Sequence, residues 1–334
     1  MFAKKQLSSA IAIALGASVA SMASIQTASA DSVFFPHVVV SPTVTTIVSV
    51  INTSDVNYNQ FGGVVTGTPA SLHYRLFYKN PSSLAGACDE VNVYRSTSVN
   101  DIQTIDLGGV FGGDTLGVLF NDPSFYNNWM APNQSFALGE NRSPMRGYLL
   151  VDNANSVGAA SVTGEAFVFE FANGAAWGYE AYSQTGESVG APEFDYLYSA
   201  SRSPAQVAIM PFDQLATAFM VTPVGPDMTL GNYFATVQLG DSFGGTSYVL
   251  FDRDESIVSG TVPRTVTCVG RVDADTLLTD GALEEVPDGG WGYLRNYRPG
   301  TEPAAVVIKL EYGVDVFDDD PMIGVFNNAI MIRP

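Results

Sequence analysis

From Val33 onward the chain alternates apolar and polar residues with a period of two, the spacing at which successive side chains of a strand face opposite sides of a sheet. The clearest run sets Leu72, Tyr74, Leu76 and Tyr78 on one face against His73, Arg75, Phe77 and Lys79 on the other. It predicts a half-buried strand. The alternation returns near the end, where Val306, Ile308, Leu310 and Tyr312 oppose Val307, Lys309 and Glu311. Thr43–Ile51, Gly147–Val151, Ala166–Phe171, Tyr248–Phe251 and Thr265–Val272 are rich in β-branched or aromatic residues and bounded by Gly, Asn, Asp or Pro, which predicts further strands packed in sheets. Helix signals are short. Asp213 is placed to cap a piece carrying Leu215 and Phe219 at i and i+4, and Asp275 a similar piece ending at Gly281. Many short strands, Gly- and Pro-rich turns and no strand–helix alternation predict an all-β fold: an antiparallel β-sandwich architecture with few short helices.

Ser183 to Gln206 is rich in Ser, Gly, Ala and Pro and lacks periodicity. It divides the chain into two sandwich units packed together, 31–185 and 206–334, with a linker over 186–205. A short echo supports two units: Gly174-Ala175-Ala176-Trp177-Gly178-Tyr179 recurs as Gly289-Gly290-Trp291-Gly292-Tyr293. A single sandwich of about 300 residues is the rival, at the large end for one core.

The first thirty residues change the picture. Lys4 and Lys5, the apolar run Ala10–Ala23 and Ala28-Ser29-Ala30 before Asp31 have the order of a secretory signal peptide with an A-x-A cleavage site. The apolar run is too short and too rich in Ala, Ser and Gly for a stable span, and no Cys follows the site to take a lipid. The expectation is a secreted protein that starts at Asp31 and resides in the periplasm, at the cell surface or outside the cell. The leader holds two of the 15 basic residues and none of the 34 acidic ones, so 13 basic residues face 34 acidic ones in the remainder, a net charge of −21. So acidic a surface repels phosphate backbones and anionic lipid, which excludes nucleic acid as a partner and argues against electrostatic docking to a membrane. No membrane insertion is expected. Cys88 and Cys268 are the two cysteines of the chain, and export places them where a disulfide persists; two buried free thiols are the alternative.

Several segments carry a resemblance. Phe35-Pro36-His37 with Thr45–Ser54, then Arg146–Val151, Gly164-Glu165-Ala166 and Ala176–Tyr179, resembles a group of uncharacterised exported bacterial proteins. Tyr248–Glu255 leading to Cys268 is similar to the later part of the same group. The resemblance covers the chain in patches, implies export and a β-rich fold, and transfers no functional residue.

Candidate chemistry is sparse. A Ser or Cys triad needs a His base; His37 follows Pro36 in an apolar stretch and His73 lies on the polar side of a strand, where each reads as structural or solvated. Neither has a second His or Cys at zinc-ligand spacing. Asp55, Asn57 and Asn59 copy the first ligand positions of a calcium loop, but Gln60 and Thr66 stand where the turn Gly and the bidentate Glu belong. Asp252, Asp254 and Glu255, or Asp318, Asp319 and Asp320, remain as oxygen donors for calcium, the only cofactor the sequence suggests; a solvated turn is the alternative. Glu193-Phe194-Asp195-Tyr196-Leu197-Tyr198 resembles a jelly-roll glycosidase signature with Tyr198 in place of the second Glu, which removes half of an acid–base pair. Glu165, Glu170 and Glu180 are the other carboxylates on predicted strands.

Exposed aromatics complete the set. Trp129 beside Tyr126, together with Trp177, Tyr179, Trp291 and Tyr293, offers flat faces on which sugar rings stack; burial of Trp177 and Trp291 in cores is the competing reading. The expected function is therefore an exported non-catalytic β-sandwich protein, a surface or extracellular structural or binding element whose partner is a polysaccharide or another surface protein. The alternative is a carbohydrate-active protein, either glycosidase-like or a sugar-binding module. An outer-membrane barrel is disfavoured, because Ile330–Pro334 lacks the aromatic girdle of a final lipid-facing strand.

Overall fold

Strands form here wherever the period-two pattern meets a partner strand. The structure is a computed structural model that describes residues 32–41, 43–52, 70–79, 84–98, 100–111, 145–153, 162–171, 175–184, 194, 197, 204–211, 215–240, 242–243, 246–247, 249–301, 304–313 and 328–332. The first half contains β1 (Ser32–Val40), β2 (Val44–Asn52), β3 (Ala70–Lys79), β4 (Asp89–Thr97), β5 (Ile102–Asp106), the short helix α1 (Leu107–Phe111), β6 (Met145–Asn153), β7 (Val162–Glu170), β8 (Ala175–Glu180) and β9 (Tyr182–Gln184). The second half begins with β10 (Ala205–Ile209), β11 (Leu215–Pro223), β12 (Phe234–Leu239), β13 (Ser242–Phe243), β14 (Thr246–Ser247), β15 (Leu250–Asp252) and β16 (Ile257–Val258). It continues with β17 (Arg264–Thr267), β18 (Gly270–Asp273), helix α2 (Asp280–Glu285), β19 (Gly290–Tyr297), β20 (Ala305–Gly313) and β21 (Asn328–Ile332).

These strands build four main antiparallel sheets. The first has the order β4-β3-β6-β1-β9 and the second β5-β2-β7-β8; the third is β18-β11-β20-β21 and the fourth β16-β15-β19-β12-β17, with β10 also on β19. The chain is all-β and sandwich-like, as its alternation predicts. One core joins the facing sides of the first two sheets, through residues such as Leu72, Tyr74, Val48 and Val168, to one face of the third through Met220, Ile308 and Leu310. A second core joins the opposite face of the third sheet, through Phe219, Val221 and Val307, to the fourth through Val237, Leu250 and Leu294. The third sheet is thus a wall shared by both halves, which is why β11 and β20 bury residues of both parities. A third cluster covers the other side of the first sheet with Phe34, Phe77 and Tyr148 against Met228, Cys268 and Val306, and includes Phe194 and Leu197 from the 186–205 segment. Each such aromatic contributes about 1.5–3 kcal/mol of burial.

Three sequence expectations change. Leu215 and Phe219 lie in strand β11, because a nine-residue register with β20 on one side and pairing with β18 on the other outweigh a short helical signal. The Thr265–Val272 run is two strands: Cys268 takes a left-handed φ of 63°, and the chain turns there from the fourth sheet into the third. The polar sides of β3 and β20 are not in water. His73, Arg75, Lys79, Lys309 and Glu311 are all buried, since each of these strands is covered on both faces. Helical structure does form near Asp275, as a 3₁₀ turn over Ala274–Leu277 and then α2, whose N-cap Thr279 accepts a hydrogen bond from the Ala282 N–H.

Candidate binding face

The fourth sheet turns Val207, Val237, Leu250 and Leu294 to its core and leaves its other face open, with Gln206, Ala208, Phe234, Thr265 and Trp291 exposed. Register assembles an aromatic row there. Trp291 stands opposite Phe251 on β15 and opposite Ala208 on β10, and Phe251 stands opposite Ile257 on β16. The Phe251 and Trp291 rings stack at 4.7 Å and 22°, and Trp291 keeps 38% of its surface in solvent while Ile257 keeps 67%. Gly290 makes this possible: a Cβ there would lie 2.2 Å from the Phe251 carbonyl oxygen, so only glycine lets β15 approach so closely. The next row pairs Tyr293 with Gln206, whose Nε2 donates to the tyrosine hydroxyl at 3.1 Å. Tyr293 is tilted by 58° against Trp291 at 6.1 Å. Arg295 lies over the Tyr297 ring at 4.3 Å and opposes Gln238, which donates to Thr261. The face therefore presents aromatic surface bordered by the Gln206 and Gln238 amides, the Tyr293 and Thr261 hydroxyls and the Arg295 guanidinium held over Tyr297.

The other aromatic candidates lie elsewhere. Trp177 and Tyr179 are buried, 4% and 7% exposed, and belong to the first core; they offer no face to a ligand. Trp129 lies outside the described residues, as do residues 1–30, Asp55, Asn57, Asn59, Glu193, Asp195, Tyr198 and Asp318–Asp320. Asp252 closes the turn between β15 and β16, where its carboxylate accepts from the Ser256 N–H at 2.7 Å. Among the described residues no group of three or more His, Cys, Asp or Glu side chains converges; Asp254 and Glu255 are exposed and Asp252 is half-buried.

The histidines have structural partners. His37 is buried beside Trp177, its Nε2 3.3 Å from an Arg146 nitrogen, and burial followed by the Arg146 and Arg271 charges holds its pKa well below the usual value. The Tyr179 hydroxyl donates to the His37 carbonyl, and Thr222 Oγ1 donates to the Pro36 carbonyl, so β1 is tied to β8 and to β11. Glu170 accepts from Trp177 Nε1 at 3.0 Å and from the Tyr312 hydroxyl at 3.1 Å, which ties the second sheet to the third. His73 stacks on Tyr94 at 4.1 Å and accepts from Arg75, whose Nη2 donates to Asp152 at 2.6 Å. Burial, then the Arg75 charge, brings His73 down to about 4, while burial outweighs the attraction of Arg75 and raises Asp152 to about 6. One carboxylate pair does meet: Glu165 is directly opposite Glu180, and burial together with that neighbour raises its pKa.

Cys88 and Cys268 are bonded, with Cα atoms 5.9 Å apart. Beside them Lys79 Nζ donates to the Leu84 and Thr267 carbonyls at 3.0 and 2.6 Å. No helix among the described residues is long and apolar enough to cross a membrane. Comparison with protein-family models, with curated proteins and with solved structures returns no match.

Phe251, Ile257, Gln206 and Ala208 are the members of the open face that sequence reasoning missed. The Gly-Trp-Gly-Tyr motif was the available signal, since glycines flanking an exposed Trp mark close strand approach beneath it.

Proposed function

We propose that this is an exported, non-catalytic β-sandwich protein that works outside the cytoplasm as a binding element, and that it binds through the open face of the fourth sheet. The stacked Phe251–Trp291 pair carries this reading. Trp291, 38% exposed, and its half-buried partner Phe251 forgo part of the about 1.5–3 kcal/mol that full burial gives such a side chain, and a patch rimmed by polar groups recovers that part on binding. The A-x-A leader pattern and the cysteine pair support a place in an oxidising, extracytoplasmic setting. Its test is adsorption of the mature protein to insoluble polysaccharides and to isolated cell envelopes. Depletion from solution that is lost in Trp291→Ala supports the reading, and depletion that survives this change contradicts it.

A second reading, a carbohydrate-active enzyme, draws on Glu165 standing directly opposite Glu180, two carboxyl groups side by side with the Glu165 pKa raised by burial and by that neighbour. Turnover of a polysaccharide that disappears in Glu165→Gln would favour it over the binding element.

A further inference from the structure

The two faces of the Trp291 indole have different neighbours. Phe251 covers one. The other is turned toward β10, where the directly opposed residue is Ala208, exposed and no larger than a methyl group. Ile257 and Trp291, the other exposed positions of that row, carry bulky side chains, so the small Ala208 makes a low point beside the indole over β10, a slot defined by register. Gln206 and Tyr293, hydrogen-bonded to one another at 3.1 Å, stand at one end of it. Among the described residues β10 pairs with β19 alone, so beyond Ala208 the slot runs out at the edge of the sheet.

We infer that this slot takes one pyranose unit of a neutral polysaccharide, with the apolar C–H face of the sugar on the Trp291 indole and its hydroxyls on the Gln206 amide and the Tyr293 hydroxyl. The inference rests on the binding-face reading and names its ligand class. A pyranose combines what the slot offers, a flat apolar face and a polar rim, and the open edge lets the polymer continue in both directions. Charge decides among the polymers. Residues 206, 208, 291 and 293 supply neither ammonium nor guanidinium, the Arg295 guanidinium further along β19 is buried over the Tyr297 ring, and the chain carries a net charge of −19, so uronate and sulfated chains are repelled.

The test is isothermal titration calorimetry of the mature protein, disulfide intact, with neutral hexasaccharides of glucose, mannose and xylose and with oligogalacturonate. Saturable binding of at least one neutral hexasaccharide, at least tenfold tighter than oligogalacturonate, is expected. Ala208→Phe should fill the slot and weaken binding at least tenfold, with its unfolding temperature unchanged because the position is exposed, while Ala208→Ser should bind like the parent. Unaltered affinity in Ala208→Phe overturns the slot, and equal affinity for the uronate overturns the ligand class. Adsorption that depends on Trp291 yet is not competed by any neutral hexasaccharide overturns this inference and leaves the binding-face reading standing; adsorption independent of Trp291 removes both.

Discussion

His37 shows how a single buried group sets a property of the folded chain. Arg146 can only donate, so the His37 nitrogen facing it accepts, and the ring proton sits on Nδ1, which has no hydrogen-bond partner among the described residues. The ring stays neutral in the fold well below pH 6.5, whereas the unfolded chain protonates it near that value. Below pH 6.5 the unfolded state therefore binds the extra proton, and stability falls by about 1.4 kcal/mol per pH unit for that group. His73 acts in the same direction down to about pH 4. Asp152 and Glu165, both raised, act in the opposite direction, because at these groups the fold binds the proton, so the His37 share is read from the difference between the parent and a variant without its ring. As pH falls from about 6.5 to about 5 the unfolding temperature should drop more steeply in the parent than in His37→Gln. Scanning calorimetry across that range checks this; an equal drop in both proteins would assign the slope elsewhere.

Close strand approach governs the elements. Gly164 on β7 lies where a Cβ would come within 2.5 Å of the Phe35 ring and 2.8 Å of the Ser49 carbonyl oxygen, so no side chain fits between the first two sheets at that point. Gly164→Ala should cost about 1–3 kcal/mol in urea unfolding, the range for overpacking, while Thr163→Ala, one residue away on the other face, should cost much less. Equal effects would place the constraint in backbone propensity rather than in packing. The strands themselves were legible, because alternation such as Leu72/Tyr74/Leu76 is a local property of the chain. Which strands have both faces covered was not, because that depends on partners far away in sequence: β20 reads as half-buried from Lys309 and Glu311, and only the fourth sheet packed behind it explains their burial. The false helix at Asp213 has the same origin, a weak local signal overridden by pairing. At the candidate face, Trp291 and Tyr293 were legible as aromatic residues, whereas the row needs Phe251, Trp291 and Ala208 from three strands, and their adjacency is written only in the register.

At the scale of the whole molecule the shared third sheet, the Glu170–Tyr312 hydrogen bond and the Cys88–Cys268 bridge join the two halves. The bridge closes a separation of 180 residues, for which chain entropy gives about 5 kcal/mol as an upper value. Replacing both cysteines by serine should lower the urea midpoint while keeping a single unfolding transition, because the sheet still couples the halves; two separated transitions would show that the disulfide, and not the common wall, unites them. An acidic, disulfide-joined molecule of this kind presents the Trp291 row on the outer side of its fourth sheet. The most direct measurement of that proposed role is hydroxyl-radical footprinting of the protein with and without a neutral polysaccharide, read by mass spectrometry. The account predicts that oxidation of Phe251, Trp291 and Tyr293 falls severalfold on binding while that of Tyr94, an exposed aromatic on the first sheet, is unchanged. Protection of Tyr94 with Trp291 oxidised as before would contradict it.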